Sequence, residues 1–346
     1  MGSQAATAAD VPAESTDLSR EYDTPMGLAH TTMQALKDRI KLHYDLASDY
    51  YVSLWGEHIH HGYWPTDESK AKESKETAQT NLIRLLLSIS GLDKPDSAAK
   101  ELSVLDVGCG VGGTSRYLAS DLGARVTGIT ISTRQVELAT KLAEQLAAEG
   151  TAPTPAPAPT AADAAAVDGF IAVGKGHVRF LELDAEKMGA YFAADADRFD
   201  VVWISEALSH FPDKALFFRN AYRVLKPGGK LVLADWFKAE GLDTAAFDND
   251  IKPIEDGMLL PPMCTQAGYV QLATEAGLRV LAPPKDISND VKQTWDLSWA
   301  LVQKPALWAF ALSQGRDGIA FLQAFRAMRR GYANGTFRYA VMSFEK

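Results

Sequence analysis

The stretch that decides the fold is "VLDVGCGVGGTS", residues 104–115. It opens on a short apolar run with one acid in it, Asp106. Three glycines follow, Gly108, Gly110 and Gly113, in the spacing G-x-G-x-x-G. The next residues, "TSRYLASDLG", have the period of an amphipathic helix. A strand, a glycine turn and a helix bring backbone close to a ligand, because glycine lacks a Cβ and adopts conformations other residues avoid. An acid in a buried strand is costly without partners. Asp106 is therefore expected to face the ligand or a donor.

Outward from this stretch the same rhythm repeats. "ARVTGIT" (124–130), "HVRFLELD" (177–184) and "FDVVWISE" (199–206) read as buried strands. "STRQVELATKLAEQLAAEG" and "DKALFFRNAYRVLK" read as helices, and "PGGKLVLADWF" as a turn and strand. Strands alternating with helices predict an α/β fold: a doubly wound, Rossmann-like sheet. Before it, 33–54 and 68–90 read as helices of an N-terminal lid spanning 31–100. The core is expected over 101–240, interrupted by a Pro/Ala-rich flexible insertion at 151–175, and residues 1–30 are expected to form a disordered tail. Residues 241–346 are expected to supply cap helices and the last strands.

Composition narrows the function. The net charge is −9, which speaks against nucleic-acid binding as a main role. No apolar run is long enough for a membrane span, and two cysteines fit a reducing, cytoplasmic setting. The first 25 residues lack the features of a signal or transit peptide. Oligomeric state is left open.

The glycine loop admits two cofactors. A dinucleotide would place its pyrophosphate on the helix N-terminus and its ribose on an acid about twenty residues on. S-adenosylmethionine (SAM) has no phosphate; the glycines would let backbone approach its methionine and sugar, with Asp106 orienting the loop or binding the ammonium. Thr130 stands where the ribose-binding acid is usual, which weakens the dinucleotide reading. Asp184 ends the third strand, where it can accept from an adenine amino group. "VLKPGGKLVL" (224–233) is the helix, turn and strand common after the fourth strand of class I methyltransferases.

Longer segments carry a closer resemblance. "GITIS" with Gln135, "HYDLASDYYVSLWGEHIHHGYW" (43–64), "HFPDKALFF" (210–218), "MCTQAGYVQLATEAGL" (263–278) and "RRGYANGTFRYAVMSFEK" (329–346) resemble the γ-tocopherol C-methyltransferases and plant alkaloid N-methyltransferases. The resemblance implies a seven-stranded sheet with an antiparallel last strand and SAM as cofactor. It implies methyl transfer to a C, N or O atom of a small, largely apolar or aromatic molecule of specialised metabolism. It places Asp106, Gly108, Cys109, Gly110, Thr130, Ile131, Gln135, Asp184, Ala185 and Ser205 around SAM. His60 and His61 would lie on the lid, one of them near the methionine carboxylate or the acceptor. A SAM-binding protein without turnover is the non-enzymatic alternative.

Glu206 and His210 follow the fourth strand, at the end where parallel sheets bind ligands. His210 is the base candidate if the acceptor must lose a proton. Tyr63, Trp64, Met258, Trp295 and Trp299 are the acceptor-pocket candidates, with Met263, Trp308 and Phe310 in the same group. The histidines of "EHIHHGYW" (57–64) do not have metal-site spacing, and no metal is expected.

Overall fold

The computed structural model describes residues 33–94, 101–150, 169–193, 198–302 and 316–346. The expected tail, the Pro/Ala run 151–166, Trp308 and Phe310 lie outside these residues.

The strands are β1 (Ser103–Val107), β2 (Arg125–Thr130), β3 (Ile171–Val173), β4 (Gly176–Glu182), β5 (Phe199–Ser205), β6 (Leu225–Lys238), β7 (Arg279–Val280), β8 (Lys285–Asp286) and β9 (Phe337–Glu345). They form one sheet in the order β3-β4-β2-β1-β5-β6-β9-β7, with β8 beside β9. Neighbours from β4 to β6 are parallel, and β9 runs antiparallel to β6. The path β4 to β7 is the expected seven-stranded arrangement, and β3 and β8 extend it. β3 lies inside the span expected to be flexible insertion; it forms a hairpin with β4, pairing Val173 with Gly176.

The central strands β1, β2 and β5 are buried on both faces, as a parallel sheet between helical layers requires. Leu105, Val107, Val202, Ile204, Leu231 and Leu233 point into one core. Val104, Val201, Trp203 and Val232 point into the other. Asp106, between Leu105 and Val107, shares the face of Val104 and is equally buried.

The lid consists of α1 (Met33–Trp55), α2 (Asp67–Lys72) and α3 (Lys75–Ser90). A single helix was expected over 68–90. Two form because Thr66 and Ser69 make a capping box for α2, and Ser74 caps a new helix by accepting from the Thr77 amide. Gly91, with φ of 64°, ends α3.

Helix α1 is tied to the sheet's carboxyl edge by residues four apart, which share a helix face. Lys37 pairs with Asp184 (2.9 Å) and Glu186. Lys41 donates to Glu182 (2.6 Å) and to the Ile131 carbonyl (3.0 Å). Asp45 accepts from Ser132 Oγ (2.5 Å), and Asp49 from Arg134 (2.7 Å). The cap comprises helices α6 (Lys252–Gly257), α8 (Gln293–Val302) and α9 (Arg316–Asn334); α4 (Gly113–Leu122), α5 (Thr133–Gly150) and α7 (Gln266–Glu275) flank the sheet. At Gly257 a Cβ would stand 2.3 Å from the Ala320 carbonyl, so this glycine lets α6 and α9 touch.

Candidate active site

The carboxyl ends of β1, β2, β4 and β5 open into a cavity of about 260 Å³ roofed by the lid and cap. Its wall contains Asp106, Gly108, Cys109, Gly110, Thr130, Ile131, Gln135, Asp184, Ala185 and Ser205, so the residues proposed for the cofactor converge on one space. His60, His61, Glu206, His210, Met258 and Trp295 line it too.

At the sheet end, Asp106 is buried and accepts from Ser115 Oγ at 2.6 Å. Burial pushes its pKa up to about 6, against the help of that hydrogen bond. A buried carboxyl with one neutral donor suits a cationic ligand group. The next turn bends through Gly108 and Gly110, with φ of 70° and 54°. A Cβ at Gly108 would stand 2.3 Å from Ala207 Cβ, whereas one at Gly110 would meet only Ile59, at 3.9 Å. The first glycine is required by protein packing; the second keeps backbone open to the cavity. Burial raises the Cys109 thiol well above its ordinary pKa, which fits a packing role and no nucleophile.

Thr130 ends β2 and donates to Gln135 Oε1 at 2.6 Å. Both are buried, and the bond leaves the Gln135 NH2 group turned to other partners. Asp184 is already engaged: Oδ1 accepts from the Glu186 amide (3.0 Å) and Oδ2 from Lys37.

Glu206 has φ of 56°, a left-handed conformation rare for a residue with a side chain. Its carboxylate accepts from the His61 amide (2.6 Å), His61 Nδ1 (2.9 Å) and Tyr339 Oη (2.8 Å). Burial acts to raise its pKa, but His61, through charge and hydrogen bonds, and His60 together outweigh it and hold Glu206 below the usual range. Glu206 thus fixes the lid histidine, a positioning role. Tyr332 Oη reaches His61 Nε2 at 3.4 Å, and the rings of Trp295 and Tyr339 lie 5.4 and 4.9 Å away. His61 is consumed by the protein.

His210 Nε2 lies 3.3 Å from Tyr44 Oη, and the His210 ring stands 6.3 Å from that of Trp236. Burial raises the Tyr44 pKa to about 12, assisted by the charge of Glu206, so the phenol stays protonated.

Three expected acceptor residues lie elsewhere. Trp64 is fully buried in the lid, where its indole packs on Gly62 and Ala78. Gly62 is therefore close to Trp64 rather than to a ligand: a Cβ there would stand 2.5 Å from the indole. Tyr63 stacks under Lys285 Nζ (5.8 Å) and Trp299 under Arg329 (5.2 Å), both outside the cavity wall. Met263 is buried in the core that backs the cap. Alternation along "HGYW" puts neighbours on different sides, so the motif could not send all its aromatics to one pocket.

Sequence reasoning missed Lys37, Tyr44, His58, Trp236, Phe321 and Phe325 in the wall. Phe321 and Phe325 carried a signal: aromatics four apart share a helix face. Tyr44 lay within a quoted segment, but nothing local separates it from its neighbours. Among the described residues no group of three His, Cys, Asp or Glu side chains converges to hold a metal, and no helix is long and apolar enough to cross a membrane.

Residues 105–233 match the family described as "Methyltransferase domain", and 31–153 match "Mycolic acid cyclopropane synthetase". The chain is 28% identical to tocopherol O-methyltransferase of Arabidopsis thaliana, over 92% of this chain and 84% of that one. It is 30% identical to a probable tocopherol O-methyltransferase of Oryza sativa subsp. japonica, over 90% and 78%. Both relatives are described as chloroplastic. Among solved structures, mycolic acid cyclopropane synthase CmaA1 complexed with SAH and CTAB superposes with a TM-score of 0.68 at 19% identity, over 90% of this chain and 98% of that one. That likeness is one of fold. Together with Thr130 and Gln135 in place of a ribose-binding acid, these matches set the dinucleotide reading aside. The chain belongs to the class I SAM-dependent methyltransferases, in the group that includes the tocopherol methyltransferases.

Proposed function

We propose that this enzyme methylates a C, N or O atom of a small, largely apolar or aromatic acceptor, with the residue roles given below. The observation that carries the reading is the continuity of the cavity: its wall runs from Asp106, Gly110 and Gln135 to Trp236, Trp295, Phe321 and Phe325. Cofactor and acceptor groups therefore share one space.

When bound, SAM supplies a methyl group made electrophilic by its sulfonium. Asp106 holds the ammonium, as a buried carboxyl lacking a cation is fit to do. Gln135, braced by Thr130, offers its NH2 group to the ribose oxygens. Ile131, Asp184 and Ala185 form the adenine end; a carboxylate has more acceptor sites than the two Asp184 uses, so it can still take an amino hydrogen. The acceptor lies against Trp236, Met258 and Trp295. Orientation of two reactants can contribute about 7–11 kcal/mol to such a step. Where the acceptor must lose a proton, His210 takes it. His210→Ala is expected to lower kcat at least about 100-fold with SAM affinity within about threefold; unchanged turnover would remove the base role.

The reading as a whole is tested by incubating the enzyme with SAM and a metabolite panel, measuring SAH release and identifying the product by mass spectrometry. For the compartment we propose the cytoplasm, supported by the free thiols Cys109 and Cys264; the plant relatives' chloroplast is the competing site, and imaging of the tagged full-length chain decides between them.

A further inference from the structure

We propose that Nε2 of His60 selects the acceptor by accepting a hydrogen bond from an O–H or N–H group on it, so that neutral or cationic hydrogen-bond donors are taken and anions refused. This rests on the methyl-transfer reading above.

The tautomer follows from geometry. His60 Nδ1 lies 2.9 Å from the His61 carbonyl, which can only accept, so Nδ1 carries the hydrogen. Nε2 is then a bare lone pair. It is buried without a partner in a ring that lines the cavity and is only 8% exposed. Gln79 locks the segment by donating to the carbonyls of His58 (2.6 Å) and His60 (3.0 Å). The groups facing His60 are His58, whose ring centroid is 5.1 Å away, His61, and Glu206 from the end of β5. Burial outweighs the pull of Glu206 and keeps His60 below its ordinary pKa. The ring is therefore neutral near pH 7, and a lone pair so placed demands a donor, which favours the acceptor over the methionine carboxylate among the two roles open from sequence.

The rest of the wall agrees. Among the described residues it contains five acids, Glu57, Asp106, Asp184, Glu186 and Glu206, against a single Lys or Arg, Lys37. Lys37 is already paired with Asp184 and Glu186. Burial pushes His58 down to about 3, so it brings no positive charge. A phosphate or carboxylate on the acceptor would meet this acidic wall with no unpaired Lys or Arg among the described residues that line it.

The cofactor's ammonium is the other source of such a donor, and the test separates the two. Binding of 4-propylphenol, its methyl ether and 4-propylbenzoate to the SAH-saturated full chain is followed by tryptophan fluorescence. The phenol is expected to bind at least about tenfold tighter than the ether, and the benzoate weakest. His60→Leu should erase the phenol–ether difference with SAH affinity within about threefold, and His60→Gln, which keeps an acceptor oxygen, should retain part of it. Equal binding of phenol and ether by the wild type overturns the proposal, as does no saturable phenol binding. So does an SAH affinity more than about tenfold weaker in His60→Leu with the phenol preference kept, because the donor is then the ammonium. Failure of the methyl-transfer reading shows separately, as no SAH released from SAM with any acceptor.

Discussion

Asp106 shows at the residue scale how a site opposes the stability of its own fold. Its folded pKa is raised to about 6, so between about pH 4 and 6 the folded protein holds more protons than the unfolded chain. Stability of the ligand-free enzyme therefore falls as pH rises through that window. Asp106→Asn removes the cost and is expected to stabilise the free enzyme by about 2–3 kcal/mol near pH 7.5, read from chemical denaturation. The same substitution should weaken SAM binding at least about tenfold. A bound cation favours the carboxylate, so wild-type SAM affinity should decline below about pH 6, with proton release on binding; calorimetry across pH 5–8 checks both. Asp106 was legible in sequence because an acid in a buried strand is conspicuous. Glu206 was legible as a site residue, but its task was not. Its three partners come from the lid and from β9, and no local pattern announces a contact with Tyr339.

Elements were legible in proportion to the locality of what makes them. The β1 turn and α4 follow from adjacent residues, and the parallel strands from their apolar runs. β8 has two residues, Lys285 and Asp286, and exists because β9 lies beside it. The lid shows the same limit: α1 was expected, but its stripe of Lys37, Lys41, Asp45 and Asp49 acquires meaning only against Glu182, Ser132, Arg134 and Asp184. Each exposed ion pair is screened by solvent and stabilises little alone. Together they hold α1 across the Ile131–Asp184 side of the cavity. The double variant Lys41→Ala/Asp49→Ala is expected to retain its fold but release SAM about 3- to 10-fold faster and to lose most of the salt dependence of release seen in the wild type. Stopped-flow fluorescence checks this, and an unchanged off-rate with an unchanged salt response would show that the stripe does not restrain the lid.

At the scale of the molecule, the cavity is the place where the sheet edge, lid and cap meet. The doubly wound sheet was readable because strand–helix alternation allows few topologies, whereas its seven strands and antiparallel last strand were implied by the family resemblance. The aromatic side of the cavity was only partly readable, since Trp236, Trp295, Phe321 and Phe325 come from three elements far apart in sequence. SAM at 100-fold above its Kd should add about 2.7 kcal/mol to folding stability, seen as a rise in Tm, and NAD at equal concentration should give none. The Glu206 cluster has a consequence for synthesis on the ribosome. His61 precedes Glu206 by 145 positions and Tyr339 follows it by 133. Translation therefore delivers the two sides of this one hydrogen-bonded knot at widely separated times. A nascent chain halted before Tyr339 would carry the glycine loop, the lid and the buried acid, yet leave Glu206 one donor short in a backbone geometry that strains it. Competence of the centre is thus tied to completion of β9, and a premature stop codon there would yield a chain whose defect begins at its middle.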